Sequence, residues 1–110
     1  MKHTVVKNIP ASTDTTLFTV PVGYIAEVYM VFISNTSGAT GSADFWWQKN
    51  GTSYYVLDAK SLSNGDFLQF SNGSIIMQAN DSLRFNTGKP MTVMASFDLI
   101  QAPPMYAFVN

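Results

Sequence analysis

Four large rings crowd around one Asn50-Gly51 pair in the stretch DFWWQKNGTSYYVLD, which runs from Asp44 to Asp58. Aromatic faces flanked by carboxylates and amides can stack on a sugar or anchor a protein partner. The same rings can also be ordinary cross-strand pairs on a partly wet sheet. Asn-Gly between two apolar runs favours a type I′ turn of two residues. That turn pairs Lys49 with Thr52, Gln48 with Ser53, Trp47 with Tyr54, Trp46 with Tyr55, Phe45 with Val56 and Asp44 with Leu57. Alternation then gives one core face carrying Phe45, Trp47, Tyr54 and Val56. The other face is polar around a single stacked pair, Trp46 and Tyr55, which is the candidate for ligand or partner stacking.

Catalytic chemistry finds little to work with. The chain has one histidine, His3, near its start, and no cysteine. A zinc cluster cannot be built from these, and a Ser-His-Asp arrangement would have to recruit a terminal residue. The carboxylates Asp14, Glu27, Asp44, Asp58, Asp66, Asp81 and Asp98 mostly stand beside turns, where Asp satisfies local backbone donors. No spacing selects an acid/base pair, a calcium loop or a phosphate loop. No catalytic residue, metal ligand or cofactor is therefore expected. Sequons at Asn35, Asn50, Asn72 and Asn80 are better read as turn residues than as glycosylation sites, because no secretion signal accompanies them.

The elements that must position these residues are strands. Turn signals (PVG, NTSGATGS, KNG, SNGD, SNGS, AND and NTGKP) separate runs rich in Val, Ile, Phe, Tyr and Thr. Strands are expected near 4–8, 15–20, 24–35, 43–49, 52–58, 66–71, 75–79, 82–86 and 91–101. Eight or nine short strands with turns every ~8–12 residues indicate an all-β, antiparallel sandwich of jelly-roll type. One domain over residues 1–102 accounts for them, followed by an apolar arm at 103–110. Core faces follow from alternation. They are Ala26, Val28, Met30 and Phe32; Met91, Val93, Ala95, Phe97 and Leu99; Leu83 and Phe85; and Phe18 and Val20.

Two features ask for an additional surface. The opposite parity of the strand at 24–35 is also mostly apolar, with Ile25, Tyr29, Val31 and Ile33 around Glu27. A strand apolar on both faces is buried on both faces, under a loop, under the tail or against another subunit. The arm QAPPMYAFVN places Met105, Tyr106, Phe108 and Val109 after the strand-ending pair Pro103-Pro104. Four large apolar residues belong either on the chain's own sheet or on a neighbouring subunit.

Composition narrows the partners. The net charge is -1 and charged residues make up only 12% of the 110, against about 25% in typical domains, while 46% are hydrophobic. Without a basic patch, nucleic acid is not an expected partner. The N-terminus has no apolar segment of signal type, and no apolar run approaches a membrane span. The lack of cysteine suits folding in a reducing cytoplasm. Few charges and many rings suggest a surface partly hidden in an assembly.

The runs TTLFTVPVGYIAEVYMVFISNTSG, NGTSYYVLDAKSLSNGDFLQF and IIMQANDSLRF resemble a pattern in small virion proteins of tailed bacteriophages. The matching pieces are Thr16 to Gly23, Asn35 to Gly38, Tyr54 to Leu57, Leu62 to Asp66 and Ala79 to Leu83, within residues 14–100. Asn80 stands where the pattern usually has Gly, and the density of rings at Phe45–Trp47 departs from it. The resemblance implies a β-sandwich that decorates or cements the capsid, or serves the tail as adaptor or fibre component, without catalytic residues. Together with the low charge, the two-sided strand and the apolar arm, this leads to the expectation of a homo-oligomer such as a trimer, bound to the major capsid protein or other virion proteins and assembled in the host cytoplasm. The alternative is a receptor- or carbohydrate-binding module using Trp46 and Tyr55.

Overall fold

The computed structural model describes residues 2–71 and 73–102, and these form nine strands in two antiparallel sheets packed face to face. The strands are β1 (Lys2–Ile9), β2 (Thr15–Thr19), β3 (Tyr24–Ser34), β4 (Gly41–Lys49) and β5 (Thr52–Leu62). They continue with β6 (Phe67–Phe70), β7 (Ile75–Met77), β8 (Ser82–Thr87) and β9 (Met91–Gln101). The first sheet has the order β1-β9-β3-β6, with the short β7 also on β3; the second has the order β2-β8-β4-β5. Apart from β4–β5 and β6–β7, which each stay in one sheet, successive strands cross between sheets as in a jelly roll, so most core contacts are between residues far apart in sequence. The all-β sandwich expected from the spacing of turns is the fold observed.

The core is built where the inward faces meet. It includes Ile9, Leu17, Val20, Ala26, Val28, Val31, Ile33, Phe45, Leu83, Phe85, Val93, Ala95 and Phe97. Phe18 stacks on Phe97 with centroids 4.1 Å apart, and Phe45 meets both Phe85 (5.5 Å) and Phe70 (5.2 Å, edge-on). His3 belongs to β1 and its ring stacks on Phe97 at 5.5 Å, which gives it a packing role at the sandwich edge.

Strand β3 corrects the expected core face. Its pairing with β9 slips between Val28 and Met30, a β-bulge around Tyr29. One extra residue inverts the alternation beyond it. Ala26 and Val28 point inward before the bulge, but Val31 (2% exposed) and Ile33 (0%) do so after it. Met30 and Phe32, expected inside, are only partly buried, while Val31 and Ile33, expected at an interface, are core. Much of the strand's two-sided apolar character is therefore one core face read in two phases.

Turn chemistry follows the sequence closely. Asn50 (φ 51°) and Gly51 (φ 77°) both occupy the left-handed region that a type I′ turn requires. Asn80 holds φ 71°, so an Asn fills the position where the resembled pattern has Gly. Asn35 is fully buried and acts as a hub. Its Nδ2 donates to the Ala39 carbonyl (2.9 Å) and the Leu62 carbonyl (2.8 Å); its Oδ1 accepts from the Ser37 N–H (3.0 Å) and hydroxyl (2.7 Å). A buried amide with both ends engaged leaves no nitrogen for a glycan.

Candidate functional site

The aromatic hairpin forms with the two-residue turn: Lys49 pairs with Thr52, Gln48 with Ser53, Trp47 with Tyr54 and Trp46 with Tyr55. Beyond that point the register slips. Phe45 lies opposite Leu57 rather than Val56, and Ala43 lies opposite Lys60. A second irregularity near Ala59 (φ 53°), whose N–H donates to Asp44 Oδ1, extends β5 to Leu62, past the expected end at 58. Val56 and Tyr54, expected in the core, are instead exposed, Tyr54 by 52%.

The expected exposed pair is also divided. Tyr55 is 54% exposed, but Trp46 is only 3% exposed. The reason is sheet position. Strand β4 is interior, between β8 and β5, so Trp46 has Arg84 on one side and Tyr55 on the other. Its ring lies 5.1 Å from that of Tyr55, at a 31° tilt. Among the described residues strand β5 is an edge, so Tyr54, Tyr55 and Val56 have strand neighbours on one side only. Trp46→Ala is therefore expected to cost about 3 kcal/mol of stability, whereas Tyr55→Ala costs under ~1 kcal/mol. Urea unfolding of the two variants checks this ordering.

The turn end of the hairpin is tied down by Asp81, which is buried. Its Oδ2 accepts from Trp47 Nε1–H (2.9 Å) and from the Gln78 N–H (2.9 Å), and Lys49 Nζ stands 3.7 Å away. Lys49 also donates to Gln78 Oε1 at 2.8 Å. This cluster joins the hairpin to the turn before β8; it holds no second carboxylate and no nucleophile. Among the described residues, no group of three or more His, Asp or Glu could hold a metal ion. Thr87 Oγ1 is buried without a hydrogen-bond partner, and nothing in the structure accounts for it.

The outer face of the first sheet has a different character. Val6, Met94 and Phe32 are cross-strand neighbours on β1, β9 and β3. Phe67 on β6 continues the row by stacking on Phe32 at 5.2 Å. Val6 (56%) and Phe67 (58%) are among the most exposed large apolar side chains. Nearer the start of β3, Ile25 pairs with exposed Ile100, and exposed Ile76 faces Glu27. Lys2 Nζ lies 5.5 Å from the centre of the Tyr29 ring, a cation–π contact on the same sheet. Of the expected interface residues, Ile25 and Tyr29 thus remain partly accessible, and Val31 and Ile33 do not. Met105, Tyr106, Phe108 and Val109 lie outside the described residues.

A cleft of about 370 Å³ opens between the sheets along the side where β5 faces β6 and β7. Its walls include the apolar Met30, Val31, Phe45, Val56, Phe70 and Ile75 and the polar Gln69, Ser71 and Ser74, and among the described residues no charged side chain lines it. The cleft exists because β6 ends at Phe70 and β7 begins at Ile75, leaving β3 unpaired on that side around its bulge. Comparison of the chain with protein-family models, with curated proteins and with solved structures finds no match.

Proposed function

We propose that this chain is a non-enzymatic structural protein of a phage virion, decorating or cementing the capsid as a homo-oligomer. The observation that carries the reading is the apolar row Val6–Met94–Phe32–Phe67 across the outer face of the first sheet. Water-exposed apolar rows on a sheet of low charge are stabilised by burial against another surface, at roughly 25 cal/mol per Å² removed from water. The resemblance of residues 14–100 to small virion proteins supplies the partner class, the major capsid protein or a neighbouring virion protein. The mechanism is adhesive: each copy adds buried apolar area to the shell.

The test is Phe67→Asp combined with Val6→Asp. Both side chains are exposed, so folding stability stays within ~1 kcal/mol of the parent. Binding to purified capsids, or sedimentation as an oligomer, is expected to fall at least ~10-fold, since a charge buried in an interface costs more than ~1.4 kcal/mol. Unchanged association would remove this face from the proposal. A second reading, a tail adaptor or glycan-binding module, is supported by exposed Tyr55, which stacks on Trp46 at the edge of the second sheet. It predicts that Tyr55→Ala loses glycan affinity while capsid binding is untouched.

A further inference from the structure

We infer that the free edge of β5 pairs with β5 of a second copy of this chain, antiparallel about a twofold axis through Tyr54. The pairing joins two four-stranded sheets into one and does not depend on the virion reading.

The edge is unlike the others in the molecule. Sheet edges are normally blunted by shortness, charge, proline or a bulge. Strand β1 carries Lys2 and Lys7, β2 has five residues and a register slip, and β6 and β7 have only four and three residues. Strand β5 has eleven residues and, among the described residues, is paired by β4 alone. Its first six, TSYYVL, contain no charge, proline or glycine. Asp58, Lys60 and the left-handed Ala59 all stand beyond them.

The backbone selects the register. The two-residue turn makes Lys49 and Thr52 the first hydrogen-bonded pair of the hairpin, and Trp47 and Tyr54 the next. Thr52 and Tyr54 therefore direct their N–H and C=O groups to β4, while Ser53 and Tyr55 direct theirs to the open side. The slip beyond Tyr55, where Phe45 lies opposite Leu57, limits the regular stretch to Thr52–Val56. A twofold through Tyr54 uses that stretch and no more. Ser53 of each copy then lies opposite Tyr55 of the other, two narrow pairs that exchange four hydrogen bonds. Tyr54 meets its own copy in the close pair between them, and Thr52 faces Val56. Aromatic and β-branched residues fill every position except Ser53, and no like charges are opposed.

A second copy is the occupant because the segment is complementary to itself, as a twofold interface requires. Tyr54 and Tyr55 are each about half exposed. Covering those rings, Val56 and the backbone between them removes roughly 400–500 Å² per copy, at the small end of specific interfaces. The expected dimer is accordingly weak, with Kd about 0.1 mM.

The test is sedimentation equilibrium of the full chain from ~10 μM to ~1 mM, with amide hydrogen exchange measured at both ends of the range. The expected result is a monomer–dimer equilibrium in which the Ser53 and Tyr55 amides become protected as dimer forms. The Thr52 and Tyr54 amides, already bonded to β4, are protected throughout. Ser53→Pro removes one outward donor from an edge position, where proline is tolerated, and is expected to weaken dimerisation at least ~10-fold. A chain that stays monomeric to ~1 mM would overturn the inference. So would a dimer whose Ser53 and Tyr55 amides exchange as freely as in the monomer, or a folded Ser53→Pro variant with unchanged Kd. Exchange at these two amides reports the β5 edge alone and no capsid is present, so failure here and failure of the virion proposal are separately visible.

Discussion

Asp81→Ala is expected to lower the free energy of unfolding by about 2–4 kcal/mol, although Asp81 is neither apolar nor in the centre of the core. The carboxylate is 3% exposed and accepts two hydrogen bonds through one oxygen, from Trp47 Nε1–H and the Gln78 N–H. Removing it leaves both donors facing a space that water enters poorly. The cost is then the desolvation of two unpaired groups rather than the modest net worth of two bonds. Lys49 contributes much less. Its ammonium is 3.7 Å from the carboxylate and its side chain is 32% exposed, so Lys49→Ala is expected to cost under ~1 kcal/mol. Urea unfolding separates these outcomes through the midpoint at constant slope. Equal effects of Asp81→Ala and Lys49→Ala would show that the ion pair, and not the pair of hydrogen bonds, holds the turn end of the hairpin.

The second large effect is expected at Asn35. Asn35→Ala removes the donors to the Ala39 and Leu62 carbonyls and the acceptor of Ser37, all in one fully buried position, at about 3 kcal/mol. The loop between β3 and β4, the end of β5 and the turn before β6 would loosen together. The backbone of Asn35 also bonds Asp66 and Gly65 across that turn. Asn35→Asp separates shape from donor capacity. It keeps the volume but replaces two donated hydrogen bonds with a carboxylate beside carbonyl oxygens. Burial and those carbonyls raise the folded-state pKa of the new acid above its unfolded value. The neutral form is then the one the fold tolerates. The penalty is smallest below the unfolded pKa and grows as pH rises through ~4 and beyond. Denaturant midpoints at pH 4 and pH 7 check the sign; a variant less stable at pH 4 than at pH 7, relative to parent, would refute it.

These two side chains show what the sequence could and could not disclose. The turns were legible because Asn-Gly, Asn-Asp and Asn-Thr-Ser have local physical causes, and the strands because alternation is local as well. The sandwich followed from their spacing. Sheet order, however, is a long-range property. Nothing local distinguishes interior β4 from edge β5, so Trp46 and Tyr55 looked equivalent while one is buried and the other exposed. The partnership of Trp47 with Asp81, 34 residues apart, has the same origin. The cleft was hidden for a related reason. It depends on where β6 and β7 divide along β3, a division that only the assembled sheet reveals.

The bulge in β3 has a consequence for how such a chain can vary in length. Eleven residues, Tyr24 to Ser34, run alongside ten in β9, Thr92 to Gln101. Loss of one residue between Val28 and Met30 would bring Ala26, Val28, Val31 and Ile33 into a single uninterrupted alternation. Every core side chain would keep its face. A single deletion elsewhere in the strand would instead turn one flank of it inside out. The frame of β3 is thus forgiving at one place only. That place borders the cleft, so a shortened chain could keep its sandwich while remodelling the space between β6 and β7.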